Sequence, residues 1–349
     1  MDMIKVIIVS ISILLTMNSA HAAEFSIVAW PDKNTDFAKA VQIVASQAPA
    51  KYALTVSGWE KLEPEKGDTD ALTKELGGVR YSIANGLNQG QYYGVTVIDT
   101  VKRVLPSDIM DISWDDPELI KRYADIIGRL KTELATPPNY LVIANESDVY
   151  FENHPDEIEA FLKFAVSAQK TVKDIFPTTQ VGFTVTFEGL SKGGVRAAFA
   201  KQLIGISDAA FMTYYPIIDM IPTKPEDTPA QLDMILKIAG EKPVVLQEIG
   251  YPSIIKGSSE AQQAKFFETI IPAIQKRPQI KFASIFALHD FDEKGCKGLI
   301  GYYGMGGLFS LTQQGKDFQG FLCSLGLLRE DGTPKPSWDA AMKAFAQLK

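Results

Sequence analysis

Two glutamates, Glu146 and Glu248, each follow a short apolar run and are the residues of this sequence best suited to chemistry. The runs are Tyr140–Ala144 and Pro243–Gln247, and each is typical of a buried parallel strand that ends at a carboxylate. Two strand-end carboxylates suit glycoside cleavage, in which one group protonates the leaving oxygen and the other attacks or activates water. The alternative for either glutamate alone is a loop-capping role.

Histidine is scarce, which narrows the possible chemistry further. The three histidines are His21, His154 and His289, and the first lies in a predicted signal peptide. Two remaining histidines exclude a multi-histidine zinc site and make a Ser-His-Asp triad hard to assemble. Carboxylates are the available acid and base groups, and we expect neither a metal nor an organic cofactor.

The first 22 residues have the pattern of a secretory signal. Lys5 precedes the apolar stretch from Val6 to Met17, and small residues lead to Ala20-His21-Ala22, where cleavage is predicted. The stretch is too short to span a bilayer comfortably, so we expect an exported protein, periplasmic or extracellular, without membrane insertion. Residues 23–349 are predicted to form one domain.

The net charge of the chain limits the classes of binding partner that we expect. The chain carries 35 Lys and Arg against 42 Asp and Glu, a formal net charge of −7, which argues against nucleic acid as a partner.

Cys296 and Cys323 are the only cysteines, and in an exported chain such a pair can form a disulfide. A bridge would close a loop of about 28 residues, worth roughly 3.5 kcal/mol. Two separate buried thiols are the alternative.

Short strand patterns alternate with amphipathic helical patterns along the chain. The helices are clearest in Asp115–Leu134, His154–Phe176 and Ala261–Gln275. Repeated β-then-α units predict a parallel sheet, and eight of them predict an α/β fold closed as a (β/α)₈ TIM barrel. The eight predicted strands are Phe25–Trp30, Tyr52–Ser57, Gly94–Asp99, Tyr140–Ala144, Gln180–Thr186, Ala209–Tyr214, Pro243–Gln247 and Lys281–Leu288.

In such a barrel every strand delivers its C-terminal end to one face, so Glu146 and Glu248 should meet across one opening. With these residues in place the sequence resembles the clan-A retaining glycoside hydrolases, in which an Asn-Glu pair ends strand four and a Glu ends strand seven. Within that clan it is most similar to the endo-β-1,4-galactanase-like families. The resemblance covers most of the chain through short motifs: Asn145-Glu146, Gln247–Pro252, Thr213–Pro216, Trp59–Gly67 and Gly326–Trp338.

The resemblance implies a role for each matching residue. Glu146 would be the acid/base and Glu248 the nucleophile of a double displacement with retention, and Asn145 would hydrogen-bond the 2-hydroxyl of the sugar. Tyr214 is the expected donor to the nucleophile. Such a mechanism needs a raised pKa at Glu146 and an ionised Glu248.

Aromatic side chains should provide stacking faces for sugar rings. Trp30 and Trp59, near the ends of the first two strands, are the main candidates. The remaining candidates are Tyr215, Tyr251 and Tyr302. Tyr302 lies in a Gly-rich segment, 295–307, that is predicted to be an active-site loop, with an ordinary surface loop as the alternative.

Two departures from the clan pattern bear on substrate and activity. The sequence has no clear Arg at the end of strand two, and strand eight leads into His289 and Phe291 where a Trp platform is common. His289 is predicted to point into the cleft beside the nucleophile, with a backbone-bonded histidine beneath the rim as the alternative.

The sequence therefore predicts a glycoside hydrolase that cleaves a β-linked oligo- or polysaccharide. The first alternative is a catalytically inactive barrel that binds a glycan or a partner protein. The second is a barrel hydrolase or lyase that acts on a substrate other than sugar.

Overall fold

A computed structural model of the chain describes residues 23–68, 70–304, 307 and 311–348. The predicted signal peptide, residues 1–22, lies outside the described residues. Eight parallel barrel strands occur in the predicted order, with bounds that differ by a few residues from those expected. They are β1 Glu24–Ile27, β2 Tyr52–Gly58, β3 Gly90–Thr96, β4 Tyr140–Val142, β5 in two parts Gln180–Gly182 and Val185–Thr186, β6 Ala210–Tyr214, β7 Val244–Ile249 and β8 Ile280–Ile285.

The strands close into the predicted (β/α)₈ barrel. Parallel hydrogen bonding joins β2, β3, β4 and the first part of β5, and then the second part of β5, β6, β7, β8 and β1. Between β1 and β2 the Ser26 hydroxyl donates to the carbonyl oxygen of Tyr52 at 3.0 Å, which closes the ring. All strand C-termini therefore face one end of the barrel, where side chains from distant parts of the sequence meet.

Helices surround the barrel and follow local sequence signals. The long helix after β3 begins at Pro117, and Asp116 caps it by accepting from the backbone N–H of Glu118. The helices are α1 Phe37–Gln47, α2 Trp59–Leu62, α3 Asp70–Glu75, α4 Gly77–Ala84, α5 Pro117–Glu133, α6 Ser147–Asn153, α7 Ile158–Ile175, α8 Phe187–Lys192, α9 Gly194–Ile206, α10 Thr228–Ala239, α11 Glu260–Gln275, α12 Glu293–Tyr302, α13 Gln313–Cys323 and α14 Pro336–Ala346. Within the described ranges none of them is both long and apolar enough to cross a membrane.

The barrel interior is filled rather than hollow. An aromatic cluster at its lower end includes Tyr52, Tyr92, Phe211 and Phe282, all buried. Above it, Gln247 accepts hydrogen bonds from the hydroxyls of Tyr92 at 2.7 Å and Thr184 at 2.5 Å. This packed plug supports the residues at the upper, C-terminal end of the barrel.

The segment from Glu293 to Cys323, called here the β8 insert, covers part of that upper end. The predicted Cys296–Cys323 disulfide is present and joins α12 to α13. The Tyr302 hydroxyl donates to Asp99 at 2.8 Å, and the Phe321 ring lies 5.2 Å from that of Tyr215. Much of the predicted loop is helix α12, and residues 305, 306 and 308–310 lie outside the described residues.

Candidate active site

Glu146 lies just beyond β4 and enters the barrel mouth through an unusual backbone conformation. Its φ is +45°, in the left-handed region that non-glycine residues rarely adopt, and such strain is common at functional sites. Its carboxyl accepts from the hydroxyls of Thr213 at 2.6 Å and Thr100 at 2.9 Å. These two hydroxyls come from β6 and from the loop after β3, so three strands fix the carboxyl.

Glu248 lies in β7 and faces the same opening because of a β-bulge. Strict alternation would place Gln247 and Glu248 on opposite faces of the strand. The pairing with β6 shifts between Leu246 and Glu248, so that both Gln247 and Glu248 contribute to the interior. The Tyr215 hydroxyl donates to the Glu248 carboxylate at 2.6 Å.

The expectation that Tyr214 binds the nucleophile is wrong. Side chains alternate along β6, so Thr213 and Tyr215 point inward and Tyr214 points outward. The buried Tyr214 hydroxyl donates to Gln231 on α10 at 2.5 Å instead. The neighbouring Tyr215 fills the expected role.

The two carboxylates share one cavity of about 630 Å³. Thr213, which donates to Glu146, is the register partner of Glu248 on the adjacent strand. One residue earlier on each strand, the Gln247 side chain donates to that of Asn145 at 2.7 Å. The barrel therefore brings together the two glutamates that the sequence singled out.

Burial and the repulsion between negative charges raise the pKa values of the two glutamates. Burial, followed by the negative charge of Glu248, raises the pKa of Glu146 to about 8 despite the two hydroxyl donors. Burial also raises the pKa of Glu248, while the hydrogen bond from Tyr215 opposes the rise. Since two neighbouring carboxylates resist double ionisation, the raised pKa of Glu146 favours its protonated form at neutral pH.

Asn145 is held by polar groups on both sides. Its amide nitrogen donates to Asp99 at 2.9 Å, and its oxygen accepts from Gln247 at 2.7 Å. One amide hydrogen remains for a ligand, so Asn145 lines the cavity in a fixed orientation.

Of the two predicted tryptophans only Trp30 faces the cavity. Trp30 is 39% exposed, lines the cavity and packs at 4.6 Å against Phe291. Trp59 is fully buried, since it starts α2 and packs on Tyr123 with its indole N–H donated to Glu63, so its predicted sugar-stacking role is wrong.

His289 does not point into the cleft. Its side chain is fully buried, its Nδ1 lies 2.7 Å from the carbonyl oxygen of Trp30, and its Nε2 lies 3.7 Å from Asp32. The aromatic group that the end of β8 presents to the cavity is Phe286, together with Phe291. His289 therefore supports the backbone of Trp30 from behind.

Several residues that line the cavity were not predicted from the sequence to have a role in the site. Thr100 and Thr213 bind Glu146, Asp99 orients Asn145, and Tyr303 of the β8 insert faces both glutamates closely enough to be influenced by their charge. Asp99, Thr100 and Thr213 lie at or next to the ends of predicted strands, which was the available signal, because such positions collect at the barrel mouth. Of the other tyrosines, Tyr302 lines the cavity, whereas Tyr251 is buried and donates to the carbonyl oxygen of Thr223.

Over the described ranges no Lys or Arg forms an ion pair with Glu146 or Glu248, in keeping with the missing Arg after strand two. Within the same ranges no group of three or more potential metal-ligating side chains is present. Hydroxyl groups bind the two carboxylates instead: those of Thr100 and Thr213 bind Glu146, and that of Tyr215 binds Glu248.

Comparison with known proteins supports the fold. No protein-family model and no curated protein sequence matches the chain. The structure of a GH5_18 protein from Streptomyces cattleya in complex with GlcNAc matches with a TM-score of 0.69 and 16% identity, over 95% of this chain and 81% of that one. An exo-β-1,4-mannosidase from an Opitutaceae bacterium matches with a TM-score of 0.65 and 15% identity, over 94% of this chain and 60% of that one. Xylanase 10B from Thermotoga maritima matches with a TM-score of 0.63 and 14% identity, over 93% and 95%.

These similar structures are clan-A glycoside hydrolases, the group that the sequence resembles. At such low identity the likeness establishes the (β/α)₈ barrel fold. A galactanase-like specificity does not follow from it.

Proposed function

We propose that this protein is a retaining β-glycoside hydrolase in which Glu146 is the general acid/base and Glu248 the nucleophile. The observation that carries the proposal is the pair itself: two carboxylates in one cavity, one with a pKa of about 8 and the other bound by Tyr215. An acid that is protonated at neutral pH and an ionised nucleophile are what double displacement requires.

The proposed reaction is a double displacement in two steps. Glu248 attacks the anomeric carbon while Glu146 gives its proton to the departing oxygen, which leaves a glycosyl ester on Glu248. Glu146, now ionised, takes a proton from water, which attacks the same carbon and releases Glu248. Tyr215 would stabilise the charge on Glu248 before attack and after release, and Asn145 would bind a sugar hydroxyl with its free amide hydrogen.

Sugar recognition at this site is proposed on two grounds. Trp30, Phe286 and Phe291 give the cavity aromatic faces of the kind that pyranose rings stack on. The similar structures include one bound to GlcNAc and one bound to mannosyl-β-1,4-GlcNAc. We propose a β-linked oligo- or polysaccharide, galactan included, as the first class of substrate to test.

Export of the protein remains a proposal with one supporting observation. The Cys296–Cys323 disulfide is of a kind that persists in oxidising compartments. Together with the predicted signal at residues 1–22, it favours action in the periplasm or outside the cell.

A screen with aryl β-glycosides and β-linked polysaccharides, followed by two variants, tests the proposal. Glu248→Ala should abolish turnover and recover part of it with azide, giving a product of inverted anomeric configuration. Glu146→Ala should keep activity on substrates with good leaving groups, which need little protonation. Small, equal effects of the two changes, with glycan binding retained, would instead identify a binding protein without catalysis.

A further inference from the structure

One side of the cavity is lined by apolar side chains from three separate elements. Val149 lies on α6, Ile217 and Met220 lie on the two-stranded hairpin that follows β6, and Phe318 and Phe321 lie on α13 of the β8 insert. These five residues are called here the apolar wall.

The apolar wall lies on the side of Glu146. Val149 follows Glu146 by less than one helical turn, and the hairpin with Ile217 and Met220 follows β6, whose Thr213 donates to Glu146. Phe321 packs on Tyr215, which binds Glu248, so this end of the wall reaches toward the nucleophile. On the other side, Trp30 and Phe286 extend from β1 and β8 beside the strand that carries Glu248. Since a general acid protonates the bridging oxygen, the leaving group must lie on the acid's side, against the apolar wall.

The polar groups on this side are already paired within the protein. The Arg196 guanidinium donates to Asp148 and Thr186 and forms an ion pair with Glu152. The Thr186 hydroxyl donates to Asp148 at 2.6 Å. Glu188 accepts from the backbone N–H of Asp219 at 2.9 Å and faces Arg196 at 3.7 Å. Apart from the remaining acceptor sites of Glu188, the hydroxyls of a second sugar would find few free partners here, and unpaired buried hydroxyls are costly.

The backbone conformation of Met220 supports the interpretation that this side of the cavity binds an apolar group. Asp219 and Met220 form the tip of the hairpin with φ values of +51° and +62°. Glycine or asparagine would adopt this conformation with less strain, yet a methionine occupies the position and lines the cavity. Backbone strain of this kind is common at ligand-binding positions.

We propose that the leaving group of the substrate is apolar, an alkyl or aryl alcohol rather than a second sugar. This inference rests on the proposed glycosidase function and replaces the oligo- or polysaccharide named there with a β-glycoside that has a hydrophobic aglycone. The flexible thioether of Met220 and the rings of Phe318 and Phe321 can pack against alkyl or aryl groups of varied shape.

Matched octyl and methyl β-glycosides test the proposal, because their leaving alcohols have nearly equal acidity and differ only in apolar length. Glucosides, galactosides, mannosides, xylosides and N-acetylglucosaminides are compared below the micelle concentration. Each methylene buried on the wall is worth about fourfold, so three of them give an octyl preference of about 60-fold in kcat/KM. The octyl glycoside should also exceed the β-1,4-linked disaccharide of the same sugar. A preference below tenfold, or a faster disaccharide, would overturn the inference.

Two variants on separate elements locate the effect. Met220→Asn, which suits the positive φ, and Phe318→Asn should each lower the octyl preference at least fourfold. Val166→Asn is the matched control, since Val166 is 55% exposed on α7 and its replacement should leave the preference unchanged. Circular dichroism verifies that each variant is folded. An unchanged preference in both wall variants would contradict the assignment.

A binding measurement separates failure of this inference from failure of the proposed function. Octyl and methyl β-thioglycosides resist hydrolysis, and calorimetric titration gives their affinities for the wild-type protein. Turnover without an octyl preference overturns the apolar leaving group and leaves the glycosidase proposal standing. Absence of turnover on every glycoside, with octyl binding at least tenfold tighter, overturns the glycosidase proposal and supports the apolar site.

Discussion

Replacement of Glu146 by Gln should stabilise the protein, and the gain should grow with pH. Burial and the charge of Glu248 raise the pKa of Glu146 to about 8, against 4.5 for an ordinary glutamate. Between these values the folded state holds a proton that the unfolded state has released. Wild-type stability therefore falls as pH rises through this window, whereas glutamine has no such dependence.

The size of the effect follows from the pKa difference. One pKa unit corresponds to about 1.4 kcal/mol. Ionisation of Glu146 in the unfolded state therefore lowers the free energy of unfolding of the wild type by less than about 1 kcal/mol at pH 5 and by about 3 kcal/mol at pH 7. Glutamine can keep both hydroxyl contacts, because its oxygen accepts from Thr213 and its nitrogen donates to Thr100.

Urea unfolding at pH 5, 6, 7 and 8, followed by tryptophan fluorescence, measures this gain. Glu159→Gln is the matched control, since the Glu159 side chain is 88% exposed on α7 and its replacement should change stability by below about 0.5 kcal/mol at every pH. A Glu146→Gln variant that is less stable than wild type at pH 7, or a gain that does not grow with pH, would refute the assigned protonation.

Three further predictions concern residues around the pair. Tyr215→Phe removes the hydroxyl that lowers the pKa of the nucleophile, so the acid limb of the kcat/KM profile should move to higher pH and kcat should fall about 10- to 100-fold; an unchanged profile would contradict the contact. Trp30→Ala should weaken glycoside binding in calorimetric titration, whereas Phe37→Ala, at an equally exposed aromatic on α1, should not. The double variant Cys296→Ser and Cys323→Ser should lose about 3.5 kcal/mol of stability in urea unfolding, and a loss below about 1 kcal/mol would show that the bridged loop stays ordered without the disulfide.

The barrel and its two glutamates could be predicted from the sequence because both depend on local patterns. Each β strand is a short apolar run, and each glutamate lies one or two residues after the end of such a run. Parallel strands that close into a barrel must then bring Glu146 and Glu248 to one end. The Cys296–Cys323 bridge was likewise predictable, since the chain contains no other cysteine to pair with.

The side-chain directions could not be predicted, because they depend on backbone detail. A bulge in β7 turns Glu248 inward, and the left-handed backbone conformation of Glu146 directs its own side chain. Regular alternation on β6 assigns the contact with the nucleophile to Tyr215 instead of Tyr214, a shift of one residue that the motif alone does not resolve.

The directions of side chains that follow the strand ends were even harder to predict from the sequence. Trp59 begins a helix and turns into the core, and His289 turns behind the barrel to bind the backbone of Trp30. Thr100 lies in a tight turn with a φ of +50°, and its contact with Glu146 spans 46 residues of sequence. Such contacts are set by tertiary packing rather than by local sequence.

Trapping of the glycosyl-enzyme tests the central claim most directly. The protein is incubated with activated 2-deoxy-2-fluoro β-glycosides of the sugars named above, digested and analysed by mass spectrometry. The account predicts a mass increase of one fluoroglycosyl unit on the peptide that contains Glu248, with slow release in water. Turnover of the parent glycosides with no labelled peptide, or a label on any other residue, would contradict it.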